Sequence, residues 1–282
     1  MIRRAEILQE LRLAPRWQRR SRQGLGSAAS ILAMTEPPNV IAAPAAVLRR
    51  QASPVADAVT QADAAPPATA LAAKAETIDP RRQQIAALTW PVFAEHVASC
   101  TACALHRTRN KTVPGVGDVK AEWLFVGEAP GGDEDAKGEP FVGQAGRLLD
   151  NMLASIGLAR GRNVYIANVQ KCRPPGNRTP APIEVEACRP YLDRQIELIK
   201  PKLIVALGRS AANTLLDMDA SIASLRGRLH RYREVPLIVT YHPAYLLRTL
   251  LDKSKAWEDL LLARRTMARL VAEAAAVQPV GE

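Results

Sequence analysis

The sequence predicts an α/β protein, a three-layer α/β/α sandwich with a mainly parallel sheet between helices. Two observations predict it. Between residues 121 and 275, short β-rich apolar runs alternate with helix-length stretches, and repeated strand–helix units of that size form a parallel sheet covered on both faces. A glycine-rich loop, Gly127 to Gly146, leaves one apolar run and enters a helical pattern, which is where such a sheet receives its ligand.

In chain order, a helical stretch over 81–88 is broken by Pro91, and a second over 92–98 delivers the chain to Cys100-Thr-Ala-Cys103. A basic, turn-rich linker over 104–120 carries His106, Arg107, Arg109 and Lys111. Then come a strand over 121–126, a helix over 144–156, a strand over 164–169 and a helix over 183–199. A strand over 203–207, a helix over 210–216, a strand pair near 229–240 and a closing helix over 255–274 follow. Three segments gather at the carboxyl ends of the strands: the opening loop, the segment after 164–169, and Tyr241-His-Pro-Ala-Tyr-Leu-Leu-Arg248.

The first 80 residues read differently. Residues 1–23 hold seven arginines against Glu6 and Glu10, a local charge of +5, in a basic arm that is either solvated or in contact with a polyanion. Ala28–Ala75 contains 18 alanines and six prolines but no Phe, Tyr or Trp. Such a stretch cannot bury enough apolar surface to offset chain entropy, so a disordered tether is expected. Half of the net charge of +10 falls on residues 84–282, which favours a polyanionic partner for the folded part. The pair Arg19-Arg20 is followed by no sustained apolar run, and no stretch reaches membrane-span length, so a cytoplasmic protein with no membrane partner is expected. Residues 276–282 read as a flexible tail.

The opening loop reads GEAPGGDEDAKGEPFVGQAG. Its glycines let backbone approach a ligand, and Pro130 and Pro140 hold its shape. Neither the phosphate-loop ending nor the dinucleotide fingerprint is present, and its acids, except one, would repel phosphate. A neutral flat guest is expected. The four cysteines, Cys100, Cys103, Cys172 and Cys188, join one C-x2-C pair to two distant thiols. Four thiolates hold zinc or an iron–sulfur cluster, and the single knuckle leans toward the cluster.

These residues resemble one family, the family 4 uracil-DNA glycosylases. The resemblance is carried by the loop at 127–146, by NVYIANVQKCRPPGNRTP at 163–180, by YHPAYLLR at 241–248 and by the unequally spaced cysteines. It covers about residues 85–272. It implies a central, mainly parallel four-stranded sheet and one four-iron four-sulfur cluster on Cys100, Cys103, Cys172 and Cys188. It also implies hydrolysis of the bond between uracil and deoxyribose in DNA, by a monomer, in a bacterial-type cytoplasm at the nucleoid. Downstream repair proteins are expected to meet the enzyme through its N-terminal extension.

Carried over residue by residue, Asn168 resembles the reader of the uracil edge and Phe141 the aromatic that stacks on the flipped ring. Glu134 lies where the family walls off C5, and Gly127, Ala129 and Gly131 complete the base pocket. His242 matches the histidine that stabilises charge on O2. Ala129 departs from the best-known uracil glycosylases, which place a water-activating aspartate there. Either adjacent Glu128 is the base, or backbone carbonyls around Gly127 and Ala129 position the water. Leu246, Leu247 and Arg248 lie where relatives insert an apolar wedge into DNA and grip phosphate, with the choice between the leucines open.

Overall fold

In the computed structural model, residues 79–277 are described. The expected arm and tether, up to residue 78, and the last five residues of the expected tail lie outside them. Two helices open the described chain: α1 (Pro80–Ala86) and α2 (Trp90–Ala98), each with a proline in its first turn. Pro91 therefore starts the second helix rather than separating the two, because a first-turn residue needs no N–H partner. Asp79 caps α1 by accepting the Arg81 N–H at 2.9 Å.

The sheet has six strands, β1 (Val116–Gly117), β2 (Trp123–Gly127), β3 (Val164–Asn168), β4 (Leu203–Leu207), β5 (Leu229–Tyr232) and β6 (Val235–Thr240). Their order is β1-β3-β2-β4-β6-β5, with the four central strands parallel and β1 and β5 antiparallel edges. The four-stranded expectation thus describes the parallel centre, and two edges widen it. β1 is two residues long, too short to show an alternating pattern. β5 forms a hairpin with β6 across Arg233, at φ 49°.

Every residue of β2, β3 and β4 is buried, as strands covered on both faces require. Alternate residues feed two cores. Trp123, Phe125, Ile166 and Val205 pack with Leu149, Leu153, Leu246 and Leu260. Leu124, Val126, Tyr165 and Ile204 pack with Leu192, Ile196, Ala211 and Leu215. The helices that supply these partners complete the chain order: α3 (Gly132–Lys137), α4 (Gln144–Ser155), α5 (Pro182–Ile199), α6 (Arg209–Leu216), α7 (Ile222–Leu225), α8 (Pro243–Arg248) and α9 (Lys253–Val277). α4, α8 and α9 cover the first face, and α5 and α6 the second. α1 and α2 form a third, smaller core with Tyr191 and Cys188 of α5.

Helix α3 lies inside the glycine-rich loop, where no helix was expected. Asp133, Glu134 and Asp135 occupy its first turn, where the positive end of the helix dipole favours them. Gly138, at φ 86°, closes it. α9 begins two residues before the expected start and ends three after the expected end. Among the described residues, no helix is long and apolar enough to cross a membrane.

Candidate active site

At the carboxyl ends of the central strands, Gly127 of β2 lies opposite Asn168 of β3, and Leu207 of β4 opposite Thr240 of β6. A cavity of about 430 Å³ opens there. It brings together Glu128, Ala129, Gly131, Glu134, Phe141, Asn168, His242 and Arg248, contributed by all three expected segments.

Asn168 forms the inner wall. It is 2% exposed, and its Oδ1 has no hydrogen-bond partner. Leaving such an atom unpaired costs about 1–3 kcal/mol, so the fold holds an acceptor ready for a guest. Gly127 cannot be replaced cheaply, since a Cβ would lie 2.4 Å from Asn168 Oδ1 and 2.7 Å from Phe141 Cζ.

Phe141 adopts φ 55°, a left-handed conformation that costs about 1–3 kcal/mol in a non-glycine residue. Arg160 holds it there, donating from Nη2 to the Phe141 carbonyl at 2.8 Å and from Nη1 to the Pro140 carbonyl at 3.0 Å. Its ring centre is 5.5 Å from that of His242, tilted by 30°.

Glu134 is a clasp. Its carboxylate accepts N–H groups from Gly131 (3.1 Å), Val142 (3.0 Å) and Gly143 (3.3 Å), tying both ends of the loop together. Asp135, 1% exposed, accepts from Asn110 N and Nδ2 at 2.9 and 2.7 Å, anchoring α3 to the basic linker. Two of the acids expected to repel phosphate thus spend their charge on the protein itself.

His242 caps α8. Its Nδ1 accepts the Ala244 N–H at 3.1 Å, so the neutral ring carries its proton on Nε2. Burial pulls its pKa down to about 4, with the Arg248 charge acting in the same direction and Glu134 opposing. Burial pushes the Glu128 carboxyl up, against hydrogen bonds from Ser210 and Thr179.

The two leucines expected at the DNA part company. Leu246 is 1% exposed and belongs to the core under α8, whereas Leu247 is 39% exposed. Just beyond, Leu250 and Leu251 are 62% and 88% exposed. Helical spacing explains the split, because adjacent residues of α8 point to different faces. Among the basic side chains, Arg178, Arg209 and Arg226 are engaged with Glu184, Asp219 and Asp259. Lys120 and Arg147 are exposed.

Thr179 and Tyr245 also line the cavity and were not assigned from sequence. Thr179 stood within a quoted motif, but nothing in one chain distinguished it from its neighbours. Arg178 grips buried Glu184 through two hydrogen bonds of 2.8 and 2.7 Å, fixing the 178–184 turn beside the cavity.

Behind Asn168 lies the cysteine centre. Cys100, Cys103, Cys172 and Cys188 line one cavity with Gln170, Lys171, Arg109 and Tyr191, and all four are free thiols. Arg81 donates to Cys100 Sγ at 3.6 Å, Arg109 Nη1 to Cys172 Sγ at 3.1 Å and the Lys171 N–H to Cys188 Sγ at 3.3 Å. Burial pushes Cys188 up to about 12 and raises Cys103 and Cys172. At Cys100, burial is outweighed by hydrogen bonds from Ala102, Tyr191 and Arg81, and the pKa falls. Among the described residues, no three His, Cys, Asp or Glu side chains are grouped to bind a single ion.

Lys171 directly precedes Cys172 in the chain. It is 1% exposed, and its Nζ donates to the Asn168 carbonyl at 2.7 Å and to Gln195 Oε1. Gln195 donates onward to the Pro114 carbonyl at 2.7 Å. A buried lysine thus anchors the backbone of Asn168.

Fold and site together define an α/β protein with a cavity at the carboxyl ends of its parallel strands and a second cavity lined by four cysteines. The uracil DNA glycosylase superfamily model matches residues 114–261. The chain is 54% identical over 163 residues to a type-4 uracil-DNA glycosylase of Archaeoglobus fulgidus, covering 55% of this chain and 81% of the relative. It is 43% identical over 176 residues to the type-4 enzyme of Pyrobaculum aerophilum (60% and 89%) and 47% over 159 to that of Thermotoga maritima (56% and 82%). The chain belongs to the type-4 family of uracil-DNA glycosylases.

Proposed function

We propose that this protein initiates base excision repair by hydrolysing the N-glycosidic bond of uracil in DNA, releasing uracil and leaving an abasic site. The observation that carries this reading is the buried, unpaired Oδ1 of Asn168, facing the same cavity as Phe141. Uracil presents an N3–H donor beside an O4 acceptor, matching one carboxamide, whereas cytosine presents the reverse pattern. Phe141 stacks on the flipped ring, which is worth about 1–3 kcal/mol. Glu134, with the backbone it clasps, walls the C5 side against a thymine methyl.

As the N1–C1′ bond breaks, its electron pair leaves with the base, and water supplies oxygen to C1′. The Nε2–H of neutral His242 donates to O2 as negative charge gathers there. Glu128, with a raised pKa, takes the proton of that water in this reading. Carbonyls near Gly127 and Ala129 are the alternative means of orienting it.

We assign one four-iron four-sulfur cluster to the cysteine cavity, because four free thiols line it. A cluster spreads its thiolates over four irons, and Arg81, Arg109 and the Lys171 N–H already point at three of the sulfurs. Bound there, the cluster would tie α2 and α5 to the strand end that carries Asn168 and supply a one-electron centre.

The exposed ridge Leu247, Leu250 and Leu251, rather than Leu246, enters the space left by the flipped base, with Arg248 at the cavity rim. Leu251→Ala should leave stability within about 0.5 kcal/mol and weaken binding to U·G duplex more than to single strands. Leu246→Ala should cost about 2–5 kcal/mol in unfolding experiments. Equal loss of duplex binding in both variants, tracking stability, would remove the wedge assignment. The protein acts as a monomer on nucleoid DNA, and its N-terminal extension serves repair partners.

The direct test incubates the protein with labelled oligonucleotides carrying U·G, U·A, T·G or single-stranded uracil, followed by alkali. Alkali-dependent breaks at uracil, intact strands before alkali and no cutting at thymine are the expected result. Tight binding without product would overturn the enzymatic reading.

A further inference from the structure

We infer that the side-chain amide of Gln170 donates a hydrogen bond to a sulfur atom of the cluster and raises its reduction potential. This rests on the four-thiolate cluster reading above and adds a residue that the motifs do not assign. Gln170 is 0% exposed, and neither Nε2 nor Oε1 has a partner in the protein. A primary amide buried with nothing to bond is unfavourable, so its retention calls for a partner that the polypeptide alone does not supply.

The place of the amide identifies that partner. Gln170 lines the cavity bounded by all four cysteines, two residues before Cys172 in the chain. The other polar side chains around that cavity are already engaged. Arg109 donates to Cys172 Sγ and the Ala98 carbonyl, His106 Nδ1 meets the Cys103 carbonyl, and Tyr191 pairs with His96. Lys171 turns its ammonium away, toward the Asn168 carbonyl and Gln195. Among the described residues lining the cavity, Gln170 is the side chain whose donor and acceptor atoms are both buried without a partner.

The backbone holds the amide in position. The Val169 N–H donates to the Gly127 carbonyl at 2.9 Å and the Gln170 N–H to the Glu128 carbonyl at 3.0 Å. Two consecutive donations break the every-other-residue pattern of the β2–β3 ladder, and the chain bends at Val169. Gln170 lines the cysteine cavity, while Asn168, two residues earlier, lines the base cavity. A four-thiolate cluster is negatively charged and becomes more so on reduction, so an N–H dipole aimed at sulfur stabilises the reduced form more.

The test uses the full chain, purified without oxygen with its cluster. Spectroelectrochemical titration of wild type and Gln170→Leu compares their potentials. The variant should have the lower potential, with the reduction equilibrium changed about tenfold, or about 59 mV for one electron. Brown protein with four irons per chain and an unchanged potential overturns the role of Gln170 and leaves the cluster standing. Colourless, iron-free wild-type protein overturns the cluster and this inference with it. Should the variant fail to assemble, wild type grown with ¹⁵N in glutamine side-chain amides gives an independent reading. The reduced cluster should show hyperfine coupling to one such nitrogen in pulsed paramagnetic resonance, and its absence overturns the inference.

Discussion

Asn168→Ala should lower the rate of uracil release by about 10²–10⁴-fold while leaving the melting temperature unchanged or higher. The rate loss follows from removing both groups proposed to read the uracil edge. Two well-formed hydrogen bonds at about 1.5–3 kcal/mol each, desolvated in a closed cavity, account for that range. The stability expectation has the opposite sign because Oδ1 is buried without a partner in the free protein, and deleting an unsatisfied atom removes its desolvation cost. The backbone at this position is held independently, through its carbonyl, by Lys171 at 2.7 Å, so truncating the side chain does not release the strand end. Strained or unsatisfied groups at functional sites commonly show this exchange of stability for activity. Single-turnover release from a uracil oligonucleotide and a thermal melt on the same preparation check both halves. Unchanged release would remove Asn168 from the reading of uracil. A lowered melting temperature would make it a structural amide instead.

The sheet and its ligand end were legible because they depend on periodicity. The five apolar residues of β4 lie between helix-length stretches, and no other reading accommodates them. Helix α3 was hidden because glycines and prolines dominate its surroundings, while what stabilises it is tertiary: Asp135 bonded to Asn110, and Glu134 bonded across the loop to Val142. The function of Glu134 as a clasp was illegible for the same reason, since its partners are backbone groups brought near only by the closed loop. The choice between Leu246 and Leu247 needed the orientation of a six-residue helix relative to a core that sequence does not locate. Gln170 carried no signal at all. A polar residue between Val169 and Lys171 reads as an ordinary loop amide until its burial is known.

His242 should give the acid side of the pH–rate profile an unusual position. Its pKa is pulled from 6.5 to about 4 by burial, so the Nε2–H proposed to donate to O2 belongs to a neutral ring throughout the usual working range. The unfolded chain protonates this histidine near 6.5 and the folded one near 4. Between those values the unfolded state binds the extra proton, and stability therefore falls as pH drops from about 6.5 toward 4. The most this contributes is about 3 kcal/mol. His242→Gln keeps a donor without a titrating ring and should abolish that part of the acid destabilisation. Its cost in rate should be about 10²–10³-fold if the amide fails to reach O2, the loss typical of removing one donor to a developing anion. Single-stranded substrate of uracil and thymine suits the kcat/KM profile, because neither base protonates in this range. An acid limb near 4 that vanishes in His242→Gln assigns it to the imidazole. One that persists there but vanishes in Glu128→Gln assigns it to the carboxylate, and makes Glu128 the base that Ala129 cannot be. A limb at the ordinary imidazole value would mean that the buried neutral histidine does not exist in solution, and the O2 contact would then have to come from a charged ring.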